Sequence, residues 1–123
     1  MNFVETMLHL ATTRPELTVV SDQFCCPTYT KDLGEQIASL IESDLQPGIY
    51  HGVTPSGCSW FDFAKAIFEI EGLAIKVNPI ETKQYPTPAQ RPFYSVLNKS
   101  KIKESYQLEI LYWKESLKHY FKL

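Results

Sequence analysis

The sequence predicts an α/β fold in which helices surround a few short strands and the sheet is incomplete. Three observations predict it. Segments with helical apolar spacing alternate with short β-branched runs, in the order helix, strand, helix, strand, helix, strand, helix, helix. That order opens on a helix and offers few strands, so the sheet lacks neighbours that would complete it. With 44% hydrophobic and 21% charged content over 123 residues, the composition suits one globular unit with a modest core, so residues 1–123 are expected to form a single unit.

Each element has a local cause. Asn2 and Glu5 have the residue types of a capping box, and Phe3, Val4, Met7, Leu8 and Ala11 follow at helical spacing, so a first helix is expected from about Phe3 to Thr13, ending before Pro15. Leu17, Thr18, Val19 and Val20 make a short strand that Ser21 and Asp22 end. The loop Gln23 to Tyr29 leads to a second helix, capped by Thr28 or Thr30, with Leu33, Ile37, Leu40 and Ile41 on one face and an end near Ser43.

After a turn at Gln46, Pro47 and Gly48, the mostly apolar run Ile49 to Val53 reads as a strand of a parallel sheet, covered on both faces. Ser59 and Asp62 resemble another helix start, with Trp60, Ala64, Ile67 and Phe68 as the buried stripe and Gly72 as the residue just past the end. Ala74 to Ile80 alternates as a short strand, at an edge because Pro79 cannot donate to a ladder. Tyr85 to Pro92 is proline-spaced and extended. Asn98 or Ser100 caps a short helix over Lys101 to Tyr106, and Leu111, Trp113, Leu117 and Phe121 mark a terminal helix.

Bulk properties narrow the function. A net charge of −2 and a pI near 5.9 leave no overall basic field for nucleic acid or an anionic membrane surface. No apolar run approaches the roughly 18 to 20 residues that span a bilayer, and the first residues are too polar for a signal peptide, so the expected location is the cytoplasm. Cys25, Cys26 and Cys58 are an odd count without a secretion signal, and are read as reduced thiols, with reactivity of the Cys25–Cys26 pair as the lesser reading. Neither they nor His9, His51 and His119 have zinc-ligand spacing, so no metal is expected.

Catalytic signatures are missing as well. A dinucleotide needs a Gly-rich turn at a helix N-terminus, and Gly34, Gly48, Gly52, Gly57 and Gly72 form no such motif. Carbonyl reduction in short-chain reductases uses a Tyr with a Lys four residues on, and none of the seven tyrosines has one. Two segments remain that carry binding chemistry. Asp22 to Thr30 sets polar, aromatic and hydroxyl side chains before a helix N-terminus, where unpaired N–H groups favour anions. Arg91 stands in a proline-stiffened loop, and a guanidinium is well matched to a diphosphate. The plainer alternative for both is a capped loop and a surface arginine.

These same segments carry a family likeness. Val19 to Leu33 resembles the VV-D-QFG-PTY--DLA stretch of the dTDP-4-dehydrorhamnose reductases, members of the extended short-chain dehydrogenase/reductase superfamily. Gly48 to Val53 followed by Cys58 to Ala64, then Thr87 to Leu97, and finally Trp113 to Leu117 resemble three further family motifs in order. Asn2, Phe3 and Val4 resemble the NFV that opens the helix after the family's catalytic segment, with Met1 where the chain would continue backwards.

The resemblance implies the C-terminal part of a Rossmann-like, NAD(P)-binding fold, holding the substrate side and lacking the cofactor half. It implies reduction of dTDP-4-dehydro-L-rhamnose to dTDP-L-rhamnose, in rhamnose and polysaccharide biosynthesis, with NADPH or NADH as the cofactor of the full-length enzyme. For these residues alone it implies no bound cofactor, no catalytic residue and no activity. The substrate-binding candidates are Gln23, Phe24, Thr28 and Arg91, and the implied partners are a dTDP-sugar nucleotide and either the missing N-terminal half or a second copy of the chain. Cys25 stands where the family usually has Gly. A non-catalytic binding or regulatory module of the same superfamily is the second reading.

Overall fold

The structure, a computed structural model, describes residues 2–44, 46–106 and 110–122; Met1 lies outside them. Among the described residues it is α/β, with five helices and short strands that close no sheet. In chain order the elements are α1 (Phe3–Ala11), β1 (Glu16–Val20), β2 (Phe24–Cys25), α2 (Thr30–Ile41), β3 (Cys58–Ser59), α3 (Trp60–Ile70), β4 (Lys76–Ile80), α4 (Ser100–Tyr106) and α5 (Trp113–Phe121). The chain divides into two compact units, each discontinuous in sequence: Met1–Cys25 with Cys58–Ser95, and Cys26–Gly57 with Val96–Leu123. Among the described residues no helix is long and apolar enough to cross a membrane.

The first unit is built on locally encoded ends. The Asn2 side chain accepts from the Glu5 N–H at 3.0 Å while the Asn2 N–H donates to the Glu5 carboxylate at 3.2 Å, the reciprocal cap expected of α1. Ser59 and Asp62 do the same for α3, where the Asp62 N–H donates to Ser59 Oγ at 3.0 Å. Gly72, at φ +66°, lets the chain turn out of α3 without a Cβ penalty. β1 and β4 pair in parallel, from Glu16 opposite Lys76 to Val20 opposite Ile80. Helix α3 packs on α1 and across both strands. The core consists of Val4, Met7, Leu17, Val19, Val20, Phe63, Ala64, Ala66, Ile67 and Phe68, with Phe3 stacked on Phe63 at 5.5 Å. Pro79 is accommodated because this sheet has only two strands, so one edge of β4 needs no donor.

The second unit contains α2, α4, α5 and the segment through Thr54. Its buried residues include Ile102, Ile110, Trp113 and Leu117. A Cβ on Gly52 would stand 2.9 Å from Leu33 Cδ1 and 3.4 Å from Gln36 Oε1, so this backbone lies close against α2 and a larger residue would push the Leu33 side chain aside.

Two expectations, for Ile49 to Val53 and for the α2 cap, are corrected here. Ile49 to Val53 is not a strand, and Ile49 is 81% exposed. Side chains hold this segment in place of a ladder: Tyr50 Oη donates to Gln46 O at 2.9 Å, and His51 Nδ1 lies 2.8 Å from Asn98 O. The apolar stripe of α2 is a shared face that is partly covered: Leu33 and Leu40 are half-buried, while Ile37 is 49% and Ile41 74% exposed and Gln36 is buried. Finally, neither Thr28 nor Thr30 caps α2; Tyr29 is its N-cap and makes no side-chain cap bond. Two features went unforeseen, the β2–β3 pair and a single 3-10 turn at Thr82–Gln84.

Candidate substrate-binding site

Gln23, Phe24 and Arg91 belong to the first unit and Thr28 to the second, and each is described where it stands. Gln23 follows β1, and its amide is engaged: Nε2 donates to Thr82 Oγ1 at 3.0 Å. Thr82 in turn donates its hydroxyl to Asp22 Oδ1 at 2.7 Å and its N–H to both carboxylate oxygens at 2.9 and 3.0 Å. These bonds favour the ionised form, so the Thr82 hydroxyl, then its N–H, hold the Asp22 carboxyl below the usual aspartate value. Ser21 completes the junction, since its N–H donates to Ile80 O at 2.9 Å. The ends of β1 and β4 are thus tied together by Ser21, Asp22, Gln23 and Thr82. Gln23 is a strut of this junction, and Asp22 and Thr82 were missed as its centre because their contact spans 60 residues of sequence.

Phe24 is brought beside the arginine segment. Its N–H donates to Phe93 O at 2.8 Å, and its carbonyl accepts from Ser95 N at 2.9 Å and Ser95 Oγ at 3.1 Å. The segment after Arg91 therefore runs along one edge of β2 as an isolated parallel bridge, Phe24 to Tyr94. The rings stay open to solvent, Phe24 40%, Phe93 59% and Tyr94 69% exposed. Three aromatic side chains without cover on one short stretch are unusual for a packed surface and offer apolar faces to a ligand. Periodicity marks no such shelf, since Phe93 and Tyr94 belong to no regular element. Arg91, two residues before Phe93, is exposed and makes no hydrogen bond or ion pair among the described residues.

Thr28 is half-buried, and its hydroxyl donates to Cys26 O at 3.1 Å. The loop that carries it is pinned by Thr54, a residue 1% exposed, whose Oγ1 donates to Pro27 O at 2.8 Å. Ser116 of α5 makes a short hydrogen bond to the Asp32 carboxylate in the first turn of α2. The ring of Tyr29 meets that of Tyr120 edge-on at 5.8 Å. Among the described residues no three His, Cys, Asp or Glu side chains converge as a metal site would need.

Comparison with known proteins matches this arrangement to one family. The family model of the RmlD substrate binding domain matches residues 1–123. The chain is 46% identical over 121 residues to the spore coat polysaccharide biosynthesis protein SpsK of Bacillus subtilis, covering 98% of the chain and 42% of that protein. It superposes on the dTDP-4-dehydrorhamnose reductase ortholog from Clostridium acetobutylicum with a TM-score of 0.92 at 41% identity, over 99% of this chain and 43% of that one. With the Bacillus anthracis dTDP-4-dehydrorhamnose reductase, solved in complex with NADP, the TM-score is 0.91 at 38% identity, over 99% and 42%. The chain thus spans less than half the length of these relatives. With all four ordered motifs and both units inside the matched span, this chain belongs to the RmlD substrate-binding domain family.

Proposed function

We propose that this chain holds the sugar nucleotide in a dTDP-4-dehydrorhamnose reductase reaction, the reduction of dTDP-4-dehydro-L-rhamnose to dTDP-L-rhamnose. The observation that carries the reading is the substrate-binding family match over residues 1–123. The geometry supports it: Arg91 offers an unengaged guanidinium fork suited to a diphosphate, next to the uncovered rings of Phe24, Phe93 and Tyr94. At α2 the N-cap makes no side-chain bond, and the helix N-terminus carries a partial positive charge two residues after Thr28. Gln23 serves by bracing the β1 end, and Thr28 by its hydroxyl.

NADPH or NADH would supply the hydride, but these residues do not fit a dinucleotide. β1 runs directly into Ser21 and Asp22 with no glycine turn, and the glycine of positive φ, Gly72, follows a helix instead of opening one. The cofactor cradle and the proton donor are assigned to residues outside these 123, reached through a covalent or non-covalent partner. The uncovered Ile37 and Ile41 of α2 are surfaces for such an association.

Isothermal titration of the chain with dTDP-L-rhamnose tests the reading. Binding is expected, weakened about tenfold to a hundredfold in Arg91→Ala, as loss of a charged hydrogen-bond donor implies. Absent binding, or an unchanged affinity in the variant, would contradict it. Followed by NADPH absorbance with dTDP-4-dehydro-L-rhamnose, the isolated chain is expected to give no turnover, and turnover would refute the division of labour.

A further inference from the structure

Strands β2 and β3 place Cys25 directly opposite Cys58 in an antiparallel pair, with Phe24 opposite Ser59. Phe24 turns its N–H and carbonyl to Phe93 and Ser95 on the outer edge, so by the alternation of an antiparallel ladder the N–H and carbonyl of Cys25 face β3. Cys25 and Cys58 are therefore a hydrogen-bonded pair, with Cα atoms about 5.5 Å apart. That spacing falls inside the window of about 4.4 to 6.8 Å that a disulfide spans. Directly opposed residues of a ladder also project from the same face. Both side chains are thiols in this structure; Cys25 is half-buried and Cys58 only 5% exposed.

We propose that Cys25 and Cys58 are a modification site, a thiol pair that closes reversibly into a cross-strand disulfide when the chain meets a low-molecular-weight disulfide such as oxidised glutathione. Cys25 is the more accessible of the two, so its thiolate attacks a sulfur of the small disulfide and releases one small thiol. The Cys58 thiolate then attacks the Cys25 sulfur of the mixed disulfide and releases the second. Two protein thiols are oxidised, one small disulfide is reduced to two thiols, and the two protein protons leave on those products. Opposed Cβ atoms in a ladder stand about 4.5 to 5.5 Å apart, wider than the roughly 3.8 Å of a relaxed disulfide, so the strands must draw together and the bond stays easily reduced. Cys26, next in the chain, is outside the ladder and takes no part. The link would fasten β2, and with it Phe24, to the start of α3, and this inference does not depend on the functional reading above.

The test incubates the full chain with excess oxidised glutathione, quenches by alkylation, and maps peptides by mass spectrometry. Cys25 and Cys26 share a tryptic peptide, so Cys26→Ser and Cys25→Ser variants are run beside the wild type. The expected result is an intact mass lower by two hydrogens, an intramolecular link to the Cys58 peptide that survives Cys26→Ser and vanishes in Cys25→Ser, and full reversal by dithiothreitol. A link that persists in Cys25→Ser, glutathione adducts without a link, or links only between chains would overturn the proposal.

Discussion

Replacing Thr54 by valine removes one hydrogen-bond donor from the second unit while keeping the side chain's shape. Thr54 is 1% exposed, and its hydroxyl reaches Pro27 O at 2.8 Å, so the variant leaves that carbonyl without its partner. A buried hydrogen bond contributes about 0.5 to 1.5 kcal/mol net, and an acceptor stranded without water costs about 1 to 3 kcal/mol. Pro27 is itself half-buried, which lets water partly replace the hydroxyl and places the expected loss at about 1 to 1.5 kcal/mol. For a chain of this size that corresponds to a fall in Tm of about 4 to 6 °C. Urea unfolding followed through tryptophan fluorescence reads it, because Trp113, 3% exposed, lies in the same unit as Thr54. If the bond did not matter, valine would be neutral or stabilising, since it buries one more methyl in place of a hydroxyl. An unchanged or raised midpoint would refute the claim that Thr54 pins the loop carrying Thr28.

Two further outcomes are expected. The Asp22 carboxyl is held below its unfolded value of about 3.9 by Thr82. A depressed folded value means the stabilisation is present above the unfolded value and is lost as pH falls through the folded one. Stability of the wild type should therefore drop more steeply below about pH 4 than that of Asp22→Asn, as read by urea midpoints across the acid range, and parallel curves would count against it. On α2, Ile37 and Ile41 share one face at a spacing of four residues and stand largely uncovered. Ile37→Lys with Ile41→Glu should lower apolar dye binding and self-association in sedimentation without loss of helical circular dichroism; unchanged dye binding would show that this face is not the sticky one.

What the residues disclosed in advance was what they decide locally. Asn2 with Glu5, and Ser59 with Asp62, cap their helices through bonds spanning three residues, so α1 and α3 were legible from spacing alone. Gly72 was legible for the same reason, because its positive φ is a property of one residue. Ile49 to Val53 misled because β-branched and aromatic content indicates fitness for a sheet without supplying the neighbouring strand, and here Tyr50 and His51 found side-chain and carbonyl partners instead. The stripe of α2 was correctly seen as a face, yet periodicity is silent on whether anything covers it. Family likeness singles out Phe24 and Arg91 as candidates, while the bonds from Phe24 to Phe93 and Ser95 span some 70 residues of sequence and leave no local trace. Gln23 was legible as a position but not as a strut, since its partner Thr82 is 59 residues away.

The β2 edge and the arginine segment are proposed to hold a sugar nucleotide. An amide NMR titration of the isotope-labelled chain with dTDP-L-rhamnose tests it most directly. Shifts are expected at Gln23, Phe24, Thr28 and the amides flanking Arg91, with the α3 interior around Ile67 unmoved. Shifts confined to other surfaces, or none at saturating nucleotide, would contradict it.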